Sequence, residues 1–348
     1  MSRQVPARSH VAGSIAVLGS GAWGTALAAH CRRGGHVVRQ WVREPEVAAE
    51  ILAGENRTFL PGVALPPGIE ATTDLAAVVA GAEIALAVVP SQFARHVYRS
   101  LQSLPDELPL VAASKGIEER SLMLPVEVIR DELGKTRSAA VLSGPSFALD
   151  VAQGKPTALV AASDDPVLAD RLQRLLASRE LRVYTNADPI GVQLGGALKN
   201  VVALAAGILD GLGTGPNGRA ALITRGLAEM TRLGCRLGGN PATFAGLAGL
   251  GDLVLTCTGE QSRNFTVGLR LGRGESLQSI LDSVRAVAEG IRTARSAHRL
   301  AEREAVRMPI VAEVNRVLYE NGEPREAIRR LMERPLTSEN ETHEIPQR

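Results

Sequence analysis

The spacing of apolar and polar positions divides the chain into two halves. Strand-like apolar runs alternate with helical spacing in the first half, and helical spacing dominates the second. In the first half, apolar runs that predict strands span residues 14–18, 36–42, 84–89, 110–113, 139–142, 158–161 and 182–184. Helical spacing between them covers residues 23–33, 122–133 and 167–176. The run 84–89 has no polar face, which is typical of a strand covered by helices on both sides. The alternation predicts a doubly wound parallel α/β sheet extending to about residue 187.

Beyond Asp188-Pro189 the strand-like runs almost vanish and helical spacing dominates. The predicted helices span residues 190–209, 219–233, 277–285, 291–304, 309–320 and 325–333. Gly234 is predicted to end the second of them. We therefore expect four parts, which are a loose N-terminal tail over 1–13, an α/β domain over 14–187, an all-helical domain over 188–335 and a polar tail over 336–348.

A glycine-rich turn joins the first predicted strand to the first predicted helix. Gly19, Gly21 and Gly24 form the pattern G-x-G-x-x-G there. The first glycine permits the tight turn, the second lets a pyrophosphate approach the backbone, and the third lets the helix pack closely on the strand. Free N–H groups at the helix N-terminus attract the anion. The context on both sides predicts a dinucleotide site, and a purely structural turn is the alternative.

The end of the second predicted strand bears on the choice of dinucleotide. Arg43 and Glu44 stand there side by side. A carboxylate at this point favours NAD because it binds the ribose 2′-hydroxyl, whereas an arginine accommodates the 2′-phosphate of NADP. The sequence leaves both NAD and NADP open, and a solvated surface arginine is the alternative reading of Arg43.

Charge and composition narrow the range of partners. Lys plus Arg number 39 and Asp plus Glu 37, so the net charge of +2 gives no reason to expect nucleic acid or an acidic membrane surface. Cys31, Cys235 and Cys257 form no C-x-x-C pair, which argues against a disulfide framework or a zinc site and favours a reducing compartment. Lys199 inside the apolar stretch 190–209 argues against a transmembrane segment, because a central lysine costs about 2.5–3.5 kcal/mol on insertion.

Seven motifs, the glycine turn among them, occur in an order and spacing that resemble one family. They occupy residues 19–27, 114–116, 143–148, 191–200, 224–230, 248–253 and 262–264. On these residues the chain resembles the bacterial-type NAD(P)-dependent glycerol-3-phosphate dehydrogenases, which would make its first domain Rossmann-type. The resemblance implies reversible reduction of dihydroxyacetone phosphate at C2 to sn-glycerol 3-phosphate with NADH or NADPH. It also implies a cytoplasmic homodimer that supplies glycerophospholipid synthesis.

Lys199 matches the catalytic lysine of that family. Reduction of a ketone needs a proton at oxygen as hydride arrives at carbon, and a buried ammonium can donate it because burial lowers its pKa. In the oxidative direction the neutral amine is the base. The alternative is a lysine whose stem lies along an apolar face while its ammonium reaches water.

The resemblance also implies the other site residues. Substrate contacts are expected from Lys115, Gly144, Ser146, Lys199, Asp252, Ser262, Arg263 and Asn264. Cofactor contacts are expected from Gly19, Gly21, Ala22, Trp23, Gly24, Arg43, Lys115, Ala148, Arg263, Val287 and Glu289. No metal ligand is implied.

Each assignment competes with a purely structural role. Without the motifs, Lys115 and Arg263 would be exposed loop cations, and Asp252 could cap a helix. Ala22 stands where serine is common in the family, and Ser146 where threonine is often found. Two other functions compete with the dehydrogenase, which are a non-catalytic NAD(P)-binding sensor and a related two-domain enzyme acting on a hydroxy acid or sugar acid.

Overall fold

The computed structural model of the chain describes residues 13–101, 105, 107–259, 261–283 and 289–339. Nearly all of the predicted N-terminal tail, and the C-terminal tail from residue 340, lie outside these ranges. The strands are β1 (Ser14–Leu18), β2 (Val37–Trp41), β3 (Ile69–Thr72), β4 (Ile84–Ala87), β5 (Leu110–Ala112), β6 (Ala139–Ser143), β7 (Thr157–Ala162) and β8 (Leu181–Asn186). Their order in the sheet is β3-β2-β1-β4-β5-β6-β7-β8.

The doubly wound, mostly parallel sheet confirms the predicted fold class, and one pair of strands near its edge is antiparallel. Strand β7 runs antiparallel to β6, and β8 follows the direction of β7. A parallel connection needs a long crossover, usually through a full helix. The chain between β6 and β7 holds only the five-residue helix Ala148–Ala152 and turns back instead.

Seven helices accompany the strands in the described part of this half of the chain. They are α1 (Ala22–Arg33), α2 (Pro45–Leu52), α3 (Leu75–Val79), α4 (Ser91–Arg99), α5 (Pro125–Leu133), α6 (Ala148–Ala152) and α7 (Pro166–Leu176). Successive side chains of a strand point to opposite faces of the sheet. In β1, Ile15 and Val17 therefore join the apolar layer containing Leu27 of α1, while Ala16 and Leu18 join the layer on the other face.

The described residues after β8 form helices alone, as predicted. These are α8 (Pro189–Gly211), α9 (Gly215–Arg236), α10 (Pro241–Phe244), a π-helical turn (Leu247–Gly251), α11 (Asp252–Thr258), α12 (Arg263–Gly272), α13 (Leu277–Ser283), α14 (Glu289–Arg303), α15 (Pro309–Tyr319) and α16 (Pro324–Met332). The predicted helix end at Gly234 is wrong, because α9 continues past it. Gly234 instead lets Phe244 pack on α9, since a Cβ there would lie 2.0 Å from the Phe244 ring.

We call β1 to β8 with α1 to α7 the sheet half, and α8 to α16 the helical half. Helix α8 lies at the centre of the helical half. The carboxylate of Asp188 caps its first turn by accepting a hydrogen bond from the N–H of Gly191 at 2.8 Å. Its residues are buried almost without interruption from Gly191 to Ile208. Helix α12 crosses so closely that a Cβ on Gly268 would lie 2.1 Å from the Leu204 carbonyl oxygen.

Two segments of the described chain are long and apolar enough to cross a membrane on length and composition alone. The first is α8, whose most apolar window is 94% buried inside the protein, which is the behaviour of a core helix. The second, Pro241–Thr258, comprises α10, the π-helical turn and α11, and its window is 44% buried.

Candidate active site

Two lysines and one aspartate form a buried cluster where the two halves meet. Lys199, in the middle of α8, donates a hydrogen bond to Oδ1 of Asp252. Lys115, from the loop after β5, donates to the other oxygen, Oδ2, at 2.6 Å. Asp252 is fully buried and Lys199 is only 7% exposed, so the carboxylate is held between two ammonium groups away from bulk water. Such a carboxylate fixes the positions of both cations.

Thr256 completes the surroundings of the Lys199 ammonium. It lies one turn after Asp252 on α11 and accepts a hydrogen bond from Lys199 Nζ at 2.7 Å. Its own hydroxyl donates to the Asp252 carbonyl oxygen at 2.6 Å. The ammonium is therefore anchored at two points of one short helix. The sequence reasoning missed Thr256, although its i, i+4 spacing from Asp252 was a signal that the two share a helix face.

The environment of Lys199 brings its pKa close to neutral pH. Burial is the main cause and lowers the pKa from its ordinary value to about 8. Asp252 acts in the opposite direction, while the nearby charge of Lys115 lowers the pKa further. An amine with this pKa exchanges its proton readily at physiological pH, which suits it to general acid and base chemistry.

Close backbone approaches set this geometry. A Cβ on Gly195 would lie 2.5 Å from the Ala248 carbonyl oxygen, so the π-helical turn rests directly on α8 just before Asp252. A Cβ on Gly196 would lie 2.8 Å from Ser143 Oγ, beside the Lys115 stem. The missing side chains of Gly195 and Gly196 thus leave room for the π-helical turn on one side of α8 and for Lys115 on the other. Such π-helical segments are common at functional sites.

Gly144 and Ser146 lie beside the cluster, after β6. The carbonyl oxygen of Gly144 accepts hydrogen bonds from Lys115 Nζ and from Ser146 Oγ, both at 3.1 Å. Gly144 has φ of +132°, and a Cβ there would crowd the Ala158 carbonyl oxygen at 3.2 Å. Glycine is therefore required at this turn.

The Ser262-Arg263-Asn264 motif begins α12, and its three side chains have different surroundings. Ser262 caps the helix, accepting a hydrogen bond from the N–H of Phe265 at 3.2 Å. The Asn264 side chain donates to Asn200 Oδ1 at 2.9 Å and accepts from the N–H of Gly290 at 3.0 Å. The exposed Arg263 lies at the helix N-terminus.

Glu289, the first residue of α14, faces this group. Burial raises the pKa of its carboxyl, and the positive charges of Arg263, Lys115 and Lys199 lower it, as does the backbone amide of Ser91. These influences indicate that Glu289 shares the space around the two lysines. Val287, for which the family resemblance implies a cofactor contact, lies outside the described residues.

The glycine turn has the shape of a phosphate cradle. Gly19 has φ of +122°, and a Cβ on Gly24 would lie 2.3 Å from the Gly19 carbonyl oxygen, so both must be glycine. No atom lies within 4 Å of a Cβ built on Gly21, which leaves the backbone open on that side. Ala22 and Trp23 start α1, whose N-terminus presents free N–H groups to the same space. This arrangement fits a pyrophosphate.

Trp23, Ala148 and Arg43 are three further residues for which the family resemblance implies a cofactor contact. Trp23 Nε1 donates to the Ala113 carbonyl oxygen at 3.1 Å, which fixes the indole beside the end of β5. Ala148, at the start of α6, packs on the same apolar layer as Trp23. Arg43 is exposed and forms an ion pair with the neighbouring Glu44, so the two candidates for the ribose compensate each other's charge.

Phe93 and Arg292 form a contact that the sequence reasoning missed. Phe93, on α4, is 53% exposed at the carboxyl edge of the sheet. The Arg292 guanidinium of α14 lies 5.9 Å from its ring centroid. An aromatic side chain just after a buried strand was the available signal, since ligands bind at this edge in doubly wound sheets.

Family models and relatives cover the same span as these residues. The model described as NAD-dependent glycerol-3-phosphate dehydrogenase N-terminus matches residues 14–169, and its C-terminal counterpart matches residues 188–329. A glycerol-3-phosphate dehydrogenase (NAD(P)+) of Geobacter sp. strain M21 is 50% identical over 333 residues, covering 94% of this chain and 99% of its own. The protein of the same name from Geobacter sulfurreducens is 51% identical over 329 residues, covering 93% and 98%.

A solved structure agrees with the sequence relatives. The crystal structure of glycerol-3-phosphate dehydrogenase from Coxiella burnetii superposes with a TM-score of 0.89 at 42% sequence identity. It covers 93% of this chain and 99% of the Coxiella chain. The likeness therefore includes both the sheet and the helical half.

Proposed function

Because the chain belongs to the family of NAD-dependent glycerol-3-phosphate dehydrogenases, we propose that it reduces dihydroxyacetone phosphate to sn-glycerol 3-phosphate, and catalyses the reverse reaction. The observation that carries the proposal is the buried Lys199–Asp252–Lys115 cluster beside the carboxyl edge of a dinucleotide-binding sheet. A sensor that only bound the cofactor would have no need of a buried lysine and a partly buried lysine that share one buried carboxylate.

Lys199 is the proton donor in this proposal. When bound, the nicotinamide cofactor supplies the hydride that reaches C2 of the substrate. The Lys199 ammonium gives its proton to the C2 oxygen, and its neutral amine takes the proton back in the oxidative direction. With a pKa of about 8, Lys199 is mainly protonated at neutral pH, which suits reduction. Asp252 and Thr256 hold the ammonium in position through the hydrogen bonds described above.

The substrate phosphate is assigned to the start of α12. Arg263 is exposed at that N-terminus, where backbone N–H groups and a planar guanidinium both favour an oxyanion. Ser262 and Asn264 shape the same turn and offer further polar atoms. Lys115, Gly144 and Ser146 lie on the sheet side, so the substrate would span the boundary between the halves.

The cofactor is assigned to the glycine cradle and its rim. Gly19, Gly21, Ala22, Trp23 and Gly24 receive the pyrophosphate in this proposal. The remaining assigned contacts are Arg43, Lys115, Ala148, Arg263, Val287 and Glu289. Since Arg43 and Glu44 neutralise each other, we propose that the enzyme uses both NADH and NADPH.

The domain limits, assembly and location are proposed on the same basis. We divide the chain into domains over 14–187 and 188–335, and support for a boundary between them comes from two separate family models, over 14–169 and 188–329. We propose a cytoplasmic homodimer, as the family resemblance implies, that supplies glycerophospholipid synthesis. Sedimentation of the purified protein tests the dimer.

The test of the reaction is loss of NADH or NADPH absorbance with purified protein and dihydroxyacetone phosphate. We expect oxidation of both cofactors with this substrate and none with hydroxy-acid precursors such as 2-keto acids. Cofactor binding without oxidation would refute the reaction and favour the sensor. Faster turnover with a 2-keto acid would favour the related hydroxy-acid enzyme instead.

A further inference from the structure

The loop that carries Lys115 belongs to both halves of the molecule. We call residues 113–124, between β5 and α5, the Lys115 loop. Ile117, Leu122 and Leu124 of this loop are buried in the apolar cluster of the helical half, with Leu198 of α8 and Ile291 of α14. The loop thus leaves the sheet, delivers Lys115 to Asp252, and continues into the helical core before returning to α5.

Helix α4 holds the loop from the sheet side. The Gln92 side chain donates to the Ile117 carbonyl oxygen at 2.8 Å and accepts from the N–H of Glu119 at 2.9 Å. The Arg95 guanidinium binds both carboxylate oxygens of Glu118 at 2.8 Å. These contacts fix the backbone of the loop on either side of Glu118.

Helix α14 holds the same segment from the helical side. Arg295 forms an ion pair with Glu119 Oε1 at 3.0 Å, and Arg299, one turn later, donates to the Glu119 carbonyl oxygen at 2.9 Å. Arg295 is itself stacked on the Tyr319 ring, with 3.7 Å between guanidinium carbon and ring centroid. The Tyr319 hydroxyl donates to the Ile291 carbonyl oxygen at 2.8 Å, which fixes the ring. The fixed ring in turn holds the Arg295 guanidinium in position to bind Glu119.

We propose that Glu119, Arg295 and Arg299 form a latch between the halves that positions the Lys115 ammonium against Asp252. This inference rests on the proposed function and adds three positioning residues that do not touch substrate or cofactor. Helix α14 also carries Gly290 at its other end, bonded to Asn264 beside Arg263. One rigid helix therefore joins the Lys115 loop to the proposed phosphate site.

Because the latch acts through Lys115, breaking it should change the pH dependence of the reaction. The charge of Lys115 lowers the pKa of Lys199. Among the described residues, Asp252 and Cys257 of α11 and Glu289 of α14 also face the lysines, and Arg263 of α12 lies near Glu289. If the latch is broken, Lys115 is held less firmly near Lys199 and the pKa of Lys199 rises. The pH at which reduction declines should then rise as well, an effect that a loss of general stability would not produce.

The matched control is the pair Arg171 and Glu83 within the sheet half. Arg171 binds both the carboxylate and the backbone carbonyl oxygen of Glu83 at 3.3 Å, as the latch arginines together bind Glu119. The side chains are 43% and 47% exposed, against 45% and 27% for Arg295 and Glu119. Both pairs lie at the surface, so their variants should fold.

The experiment compares Glu119→Gln, Arg295→Ala and the double variant with Glu83→Gln in the full-length enzyme, since Glu119 and Arg295 form the ion pair of the latch. We expect each latch variant to raise KM for dihydroxyacetone phosphate about two- to fivefold, the range of a partly exposed ion pair. We also expect the high-pH decline to move upward, and Arg295→Lys, which keeps the charge, to lose less than Arg295→Ala. The double variant should lose less than the product of the two single effects.

The outcomes separate the two proposals. Wild-type turnover with an unchanged KM and pH profile in the latch variants would overturn the latch and leave the function standing. The same shift in Glu83→Gln would also overturn it, because the effect would then be nonspecific. No turnover of dihydroxyacetone phosphate by the wild-type enzyme would overturn the function and the latch together. Melting curves confirm that every variant is folded.

Discussion

At the scale of single residues, Asp252 organises the site by accepting hydrogen bonds from two lysines through its two oxygens. The Lys199 position could be predicted from sequence because a lone lysine in an apolar helix is unusual, and the family motif assigned its role. The contact between Asp252 and Lys115 could not be predicted from the sequence, because the two residues lie 137 positions apart. Only folding brings the end of β5 to the first turn of α11.

Replacing the proton donor should stop the chemistry and spare cofactor binding. We expect Lys199→Ala to lower kcat by about 10²–10⁴, the usual contribution of a general acid. The NADH affinity, measured by fluorescence titration, should stay near that of wild type because the glycine cradle is unchanged. Lys155→Ala, which removes an exposed lysine paired with Asp150, is the control. Near-normal turnover in Lys199→Ala would contradict the assignment.

The pH dependence should differ between the two directions of the reaction. Reduction needs the protonated form of Lys199, whose pKa is about 8, so kcat for reduction should fall as pH rises through that value. Oxidation needs the neutral amine, so its kcat should rise over the same interval. Initial rates from pH 6 to about pH 10 in both directions test this, and parallel profiles would speak against it.

At the scale of elements, glycine contacts determine how the helices pack. The sequence predicted most strands and helices, because apolar runs and spacing report them directly. It missed the edge strand β3, whose four residues alternate too briefly to stand out, and the reversal at β7, which depends on a turn rather than on a pattern. It also misread Gly234, because a glycine that admits Phe244 looks the same in sequence as one that ends a helix.

The crossing of α8 and α12 should tolerate no added side chain. We expect Gly268→Ala to lower the free energy of unfolding by about 1–3 kcal/mol, since the new Cβ would meet the Leu204 carbonyl oxygen and force the helices apart. Urea titration measures the change. Gly218→Ala is the control, because its Cβ would meet side chains and no backbone, Thr214 at 3.3 Å and Leu209 at 4.0 Å. Equal changes in the free energy of unfolding would mean that both substitutions act through helix propensity and not through the crossing of α8 and α12.

At the scale of the whole molecule, one buried carboxylate links pH to stability. Glu229 of α9 accepts hydrogen bonds from the N–H groups of Ile310 and Val311, at 2.8 and 3.3 Å, and so caps α15 from inside the helical half. Burial raises its pKa to about 7, although those bonds and the charges of Arg232 and Arg334 oppose the rise. The folded protein therefore holds a proton that the unfolded chain releases at lower pH.

This linkage predicts a slope in stability. Between the unfolded pKa of 4.5 and about 7 the folded state binds more protons at Glu229, so its contribution to the free energy of unfolding falls as pH rises. We expect Glu229→Gln to flatten that slope, measured by urea unfolding between pH 5 and about pH 7.5. Glu70→Gln, which changes an exposed glutamate paired with Arg39, is the control, because the arginine keeps its charge over this interval. An unchanged slope in Glu229→Gln would assign the dependence to other groups.

The shared Lys115 loop has a consequence for synthesis of the chain. The ribosome releases β1 to β8 before α8 and long before α14, so the dinucleotide cradle is complete while the partners of Ile117, Leu122 and Leu124 are still missing. A nascent chain at this stage exposes these apolar side chains beside the nucleotide-binding sheet, and such surface is what chaperones bind. The active site is complete only after the last third of the chain has been synthesised, when α14 covers the Lys115 loop.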